Sequence, residues 1–366
     1  MIKATLSNEM LNRILSIEEC RTHLGFCKMP ISLTNKLRKS SKKRSSFAST
    51  QIEGNPLTEE QSDAAIESKN RHFLKPEQEV RNYFAALELS ERYLKERKPF
   101  SLDLVLALQR QVVQGESKEK IGIRGPMPPG VLFAVYDETT HQAEYIPPMS
   151  DEIMPLLEEL IGYVNLSDDH PLLKAAVVHY QMVTIHPFED GNGRTARILS
   201  DYVLDYYGYG FNQIGSLEEY FAYDVDEYYA SLQMGLPALY YEGRDNPPHP
   251  EIWFHYFLRM VELHAKKVVE LASASTEEQS AAAKSFLNAK EKAFLDYLTR
   301  HHVTTFTPTE MAKKMKVSNR TIINWSLALV KNGFLTPNLV KQRIRSYTVL
   351  PTTFDEKPTY SPKKPR

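Results

Sequence analysis

Residues 171–188, PLLKAAVVHYQMVTIHPF, are apolar nearly all round. A helix with no polar face must be enclosed by other elements, so the chain has to build a multi-helix body around this segment. The neighbouring sequence supplies the material. EQEVRNYFAALELSERYLKER sets Val80, Tyr83, Phe84, Leu87 and Tyr93 near one face with charges opposite, and SLDLVLALQRQVV and MPLLEELIGYV repeat the pattern. A composition of 42% hydrophobic and 25% charged residues suits a soluble chain able to bury a core. At 366 residues, two or three domains are expected.

Three stretches interrupt the helical pattern. Between residues 122 and 148, Pro126, Pro128 and Pro129 forbid a helix, while VLFAVY and AEYI are short β-prone runs around the turn-like DETTHQ. This predicts a β-hairpin at 131–146 hung on a helical body. Small, polar residues without aromatics, LASASTEEQSAAAKS at 271–285, mark a linker, with its bounds set at 266–285, or the end of a long helix. The basic run KLRKSSKKR, 36–44, is expected as an exposed loop.

Charge is placed unevenly. Residues 284–366 hold 16 Lys plus Arg against 5 Asp plus Glu, or +11; the whole chain is −1, so the remainder carries −12. Such asymmetry favours separate domains and an anionic partner for the basic one. Two cysteines, Cys20 and Cys27, exclude a disulfide scaffold. Without an apolar run of about 18 residues or a credible signal peptide, the chain is expected to be cytoplasmic.

The segment that carries chemistry is HPFEDGNGRTAR, 186–197. Gly191-Asn192-Gly193 can point successive N–H groups at one spot, and a helix opening there turns its positive end toward the same place. Arg194 and Arg197, three apart, add two guanidinium groups suited to phosphate oxygens. Asp190 beside this anion nest suits a Mg²⁺ ion shared with phosphates. The His186 side chain titrates near neutrality and can take a proton from a hydroxyl. No Gly-Lys dipeptide occurs, which excludes a Walker-type loop, and Gly191-x-Gly193-x-x-Ala196 follows a helix-like run rather than the strand a dinucleotide fingerprint needs.

In every defining position the segment resembles the Fic-family signature, His-x-Phe-x-(Asp/Glu)-Gly-Asn-Gly-Arg-x-x-Arg. The resemblance implies a mainly α, Fic-like helical core with a β-hairpin flap, and transfer of AMP from ATP to a protein Ser, Thr or Tyr hydroxyl, on a target or on itself. His186 is then the base, Phe188 the loop anchor, and Asp190 the Mg²⁺ ligand. Gly191, Asn192, Gly193, Arg194, Thr195, Ala196 and Arg197 form the ATP phosphate site, Ala143, Glu144 and Tyr145 of the flap lie beside the nucleotide, and Tyr228 of EYYASLQ lies near the adenine. Where family members often have an asparagine eight residues after that tyrosine, this chain has Leu236, with Asn246 a candidate replacement.

A second match lies upstream. Ser49-Thr50-Gln51-Ile52-Glu53-Gly54-Asn55 resembles the family's inhibitory motif, (Ser/Thr)-x-x-x-Glu-(Gly/Asn). It implies a carboxylate from Glu53 in a bidentate pair with Arg197, holding ATP in an unproductive pose.

The basic tail has the layout of a winged helix-turn-helix. AKEKAFLDYLTRH is followed by TPTEMAKKMKVSNRTIINWSLALVKNGFL and a strand-like RIRSYTVL. Thr307 or Thr309 is expected to cap the second helix, Val317-Ser318 to form the turn, and Asn319, Arg320, Asn324 and Lys331 to face solvent or DNA. The domains expected are thus 1–98 with the inhibitory motif, a catalytic core at 99–265, the linker, the winged helix at 286–350 and a tail at 351–366. Contact of the winged helix with DNA or with protein, and pairing into a homodimer, stay open. So do another nucleotide donor, removal of AMP from a target, and a DNA-binding regulator with a vestigial catalytic core.

Overall fold

The structure, a computed structural model, describes residues 1–3, 5–27, 29–70, 72–136, 143–236, 247–285, 287–340 and 343–350. It divides into a first unit of Met1–Phe26 with Pro30–Glu270, and a second of Cys27–Met29 with the chain from Leu271 on. Among the described residues no helix is long and apolar enough to cross a membrane.

The first unit is helical: α1 (Asn8–Phe26), α2 (Ile31–Ile52), α3 (Glu59–Glu67), α4 (Lys75–Lys95), α5 (Leu102–Val112), α6 (Ser150–Leu166), α7 (Pro171–Ile185), α8 (Asn192–Tyr206), α9 (Glu218–Tyr223), α10 (Val225–Gln233) and the start of α11 (Pro250–Ser285). At the centre, α7 packs on α8. Pro171 opens α7, and the His170 ring accepts the Leu172 N–H at 3.3 Å, the arrangement a helix start favours. Polar side chains of this enclosed helix find partners inside: Lys174 Nζ donates to the Val164 carbonyl at 3.0 Å.

The expected hairpin is present but short. Strands β1 (Val135–Tyr136) and β2 (Ala143–Tyr145) pair antiparallel, while residues 131–134 are not strand. Its turn and Asn246 lie outside the described residues.

One expectation is corrected, and one open choice is decided in favour of the end of a long helix. Residues 36–44 are not a loop but the middle of α2. Their charges are taken up by distant acids: Lys42 pairs with Glu91 at 3.2 Å, Lys43 with Asp63 at 2.9 Å and Arg44 with Glu219 at 3.1 Å. Between and beyond those cations Ser41, Ser45, Ser46 and Ser49 are buried, and such small side chains let α2 lie close on α4 and α9. Residues 266–285 are the latter part of α11, since alanines and glutamates without Pro or Gly sustain a helix.

The second unit holds α12 (Ala289–Arg300), β3 (Thr305–Phe306), α13 (Pro308–Met315), α14 (Asn319–Lys331), β4 (Leu335–Val340) and β5 (Arg343–Val349), with sheet order β3-β5-β4. Thr307 caps α13 in a reciprocal box with Glu310, and Ser318 caps α14. Phe294, Leu298, Phe306, Ile322, Leu329 and Tyr347 are among the residues of its own core.

Candidate active site

Local backbone geometry places the signature residues. Helix α7 stops at His186, which adopts a left-handed conformation (φ 48°, ψ 58°) and so turns the chain out of the helix. The loop then dips inward at Phe188, which is fully buried and bridges to Ile123. Gly191 (φ 82°) caps the start of α8, and a Cβ there would meet Val113 Cγ1 at 3.0 Å. Only glycine suits both constraints. Because α8 opens at Asn192, its first-turn N–H groups have no intrahelical acceptor and face the loop.

His186 is set up as a proton acceptor. Its Nδ1 lies 3.2 Å from the Val183 carbonyl oxygen, which can only accept, so Nδ1 carries the hydrogen and Nε2 the lone pair. Burial, aided by the charge of Arg124, lowers the imidazole to about 4, which keeps it neutral near pH 7. Arg124 also holds the turn from behind, with Nε donating to the His186 carbonyl at 2.8 Å and its N–H to the Pro187 carbonyl at 2.9 Å.

Asn192 has a different role from the one expected. Its side chain accepts from the Phe188 N–H at 3.0 Å and donates to the Phe188 carbonyl at 2.9 Å, so it staples the loop instead of facing the anion nest. Thr195 and Ala196 are fully buried on α8, and among the described residues Thr195 Oγ1 has no hydrogen-bond partner.

Asp190 lies between two cations. Arg194 Nη2 donates to Oδ1 at 2.7 Å and Lys120 Nζ to Oδ2 at 2.9 Å. Burial pushes this carboxyl up, but Arg194 and Lys120 hold it below its ordinary value, so it is ionised. Gln109 braces the corner, its Nε2 donating to the Lys120 carbonyl at 2.7 Å and to the Asp190 carbonyl at 3.2 Å. Among the described residues no three His, Cys, Asp or Glu gather to hold a metal alone. One ionised, 23%-exposed carboxylate does fit an ion that brings phosphate oxygens and waters of its own, as Mg²⁺ does.

Glu53 and Arg197 meet as the two motifs imply. Arg197 Nη2 donates to Glu53 Oε1 at 2.6 Å. A single hydrogen bond joins the pair instead of a bidentate one, and Ser49 also holds the guanidinium: Nε donates to its Oγ at 2.7 Å and the same Nη2 to its carbonyl at 3.0 Å. Burial works against ionisation of Glu53, yet the charges of Arg197 and Arg194 hold its carboxyl below the usual value. Gly193 is the floor of this contact, since a Cβ there would lie 2.6 Å from Glu53 Oε1.

Two further expectations separate. Tyr145 reaches the site region, its hydroxyl donating to the Thr184 carbonyl at 2.5 Å, and Ala143 pairs with Tyr136 in the hairpin; nothing is described of the Glu144 side chain. Tyr228 is 1% exposed and offers no ring face to a base. Its hydroxyl lies 2.8 Å from His179 Nε2, and its ring packs among Phe221, Tyr256 and Trp253. Tyr228 is therefore a core aromatic, which the sequence EYYASLQ alone does not distinguish from a ligand-facing one. Lys120, Arg124 and Gln109 join the site without any local pattern to mark them, because they lie 62 to 81 residues from the loop groups they touch.

A helical core with a hairpin beside a His-loop-helix anion nest defines the Fic class of fold. Residues 99–204 match the Fic/DOC family, and the chain carries a domain of that family. It resembles the Caenorhabditis elegans protein named protein adenylyltransferase fic-1 at 29% identity over 165 residues, 42% of this chain and 30% of that one. It resembles the Drosophila virilis protein adenylyltransferase Fic at 27% identity over 204 residues, 54% of this chain and 40% of that one. This chain thus spans less than half the length of these curated relatives. A Fic family protein from Desulfovibrio desulfuricans G20 superposes with a TM-score of 0.59 at 19% identity, covering 100% of both chains. Fic-1 of C. elegans gives 0.56 at 21% identity, covering 74% of this chain and 73% of that one. The likeness establishes the Fic fold.

Proposed function

We propose that this protein is an adenylyltransferase that moves AMP from ATP to a Ser, Thr or Tyr hydroxyl of a protein, and that Glu53 restrains it. The observation that carries the reading is the Glu53–Arg197 contact at 2.6 Å over Gly193, beside a neutral His186 with a free Nε2. In this reading Nε2 takes the proton of the incoming hydroxyl as its oxygen bonds to the α-phosphorus. The bond from that phosphorus to the bridging oxygen breaks, and pyrophosphate leaves. The α8 N-terminus and Arg194 face the phosphate charge, where fixed donors stabilise what develops in the transition state. Asp190 would hold Mg²⁺, whose charge offsets that of the phosphates when bound.

Glu53 opposes this arrangement by keeping Arg197 from the terminal phosphate. One charge-assisted hydrogen bond contributes roughly 1.5–3 kcal/mol, enough for about one to two powers of ten in rate. The test is incorporation of labelled AMP by wild type, Glu53→Gly, Arg197→Ala and the double variant. Glu53→Gly is expected to be at least about tenfold faster than wild type, and that gain should vanish when Arg197 is also absent. Label arriving from another nucleotide in preference to ATP would overturn the donor assignment.

A further inference from the structure

We propose that the second unit is a winged helix-turn-helix that binds double-stranded DNA, with α14 as the element that enters the major groove. Helix α13 ends at Met315 and α14 begins at Asn319, so three residues join them, and Lys316 takes the left-handed conformation (φ 54°) that makes so short a turn. A β4–β5 hairpin follows directly and pairs through β5 with β3.

The outward face of α14 fixes the ligand class. Ile322, Ser326 and Leu329 are buried. At about 100° per residue, Arg320, Asn324, Leu327 and Lys331 form the opposite stripe, and all four are exposed. No acidic residue occurs in the helix. Exposed Lys313, Lys316 and Arg345 flank it on α13, the turn and the hairpin. Among the described residues none of these cations forms an ion pair, whereas Lys39, Lys42, Lys43 and Arg44 of α2 all do.

This chemistry matches a duplex. Arg and Asn side chains make the bidentate contacts that guanine and adenine edges present in the major groove, and an apolar Leu suits a thymine methyl. Lysines at the ends of the stripe and an arginine on the hairpin fall where phosphates flank the groove. A protein partner would call for a contiguous apolar patch, yet the large exposed hydrophobics described between residues 287 and 350 are only Leu327, Leu339 and Ile344.

Fluorescence anisotropy of the full-length chain with a labelled random-sequence duplex of about 20 base pairs tests this directly. Binding is expected at micromolar protein in about 50 mM salt, and about four neutralised phosphates would weaken it about a hundredfold by 200 mM. The triple variant Lys316→Ala, Lys331→Ala, Arg345→Ala should bind more weakly on every sequence, its log–log salt slope shallower by about one for each phosphate no longer neutralised. Arg320→Ala should flatten the base preference seen after selection from the pool. Lys267→Ala, an exposed cation of the first unit, is the matched control and should leave binding unchanged. No anisotropy change for the parent at low salt, or a triple variant with the parent's affinity and slope, overturns the proposal.

Discussion

Arg197 donates to Glu53 Oε1 at 2.6 Å across the space that a side chain on Gly193 would fill, and the same guanidinium reaches back to Ser49 through Nε at 2.7 Å. The signature helix is therefore tied to α2 at two points one helical turn apart. An arginine that is 1% exposed and bonded on two edges is not available to a phosphate without a rearrangement of α2. If the proposed restraint holds, it belongs to the whole last turn of α2, since Ser49 and Glu53 both bond Arg197.

Ser49→Ala is expected to raise self-modification to a level between wild type and Glu53→Gly. Removing the hydroxyl leaves a buried, charged N–H without a partner, which costs about 1–3 kcal/mol and loosens the α2 end. Melting should fall by several degrees in the same variant. Adding Ser49→Ala to Glu53→Gly should bring no further gain, and additive gains would show that the two residues act separately.

A pH profile of Glu53→Gly reads the state of His186. With the imidazole lowered to about 4, the base stays neutral as pH falls from about 7 to about 5, so transfer should hold and decline only near pH 4. An ordinary imidazole would place that decline near pH ~6.5. The stability linkage has the same sign. Between about 6.5 and 4 the unfolded chain takes up the proton and the folded one does not, so the contribution of His186 is full above 6.5 and is lost as pH falls through 4. An acid limb centred near 6.5 would contradict the neutral ring.

Contiguity separates what the sequence displays from what it hides. His186, Asp190, Gly191, Arg194 and Arg197 lie within one short segment, and the glycines, the helix start and the arginine spacing are local properties. Glu53 is legible because its motif is equally compact. By contrast, whether KLRKSSKKR is loop or helix is decided by Asp63, Glu67, Glu91 and Glu219, which only the folded chain brings near it. The Asn192 amide faces inward for the same kind of reason: the loop's own N–H and carbonyl at Phe188 satisfy it at 3.0 and 2.9 Å. Lys120 closes a short 3-10 helix, Lys118–Lys120, 70 residues before its partner Asp190, a pairing without local signature.

Lys120→Met should lower the Mg²⁺ concentration needed for half-maximal transfer in the Glu53→Gly background. Lys120 Nζ lies 2.9 Å from Asp190 Oδ2, so a cation already sits where a divalent ion would bind, and removing it leaves the carboxylate with the charge of Arg194 and the Gly191 N–H. The expected shift is severalfold, in line with removal of one partly exposed ion pair of about 1 kcal/mol. Asp190→Ala should abolish most transfer at ordinary magnesium, a far larger effect than the fall in melting temperature from leaving buried Arg194 without its carboxylate. A Mg²⁺ titration of the three proteins checks both, and an unchanged half-point for Lys120→Met would mean that Lys120 does not compete at that carboxylate.

Asn192→Ala should damage the site in a way that His186→Ala does not. The Asn192 side chain is the partner of both the Phe188 N–H and the Phe188 carbonyl, and Phe188 is fully buried. Leaving those two groups unpaired costs roughly 1–3 kcal/mol each, so the loop should open locally and melting should drop. Since the loop carries the N–H groups proposed to face the phosphates, nucleotide affinity and transfer should fall together. His186→Ala, by contrast, removes only proton transfer, a loss of about 10²–10⁴-fold, with ATP still bound. Calorimetric titration with ATP beside labelled-AMP transfer separates the two variants. If Asn192→Ala binds ATP as the parent does and melts at the same temperature, the amide is not the staple of the loop and its hydrogen bonds to Phe188 carry no weight in holding the nest.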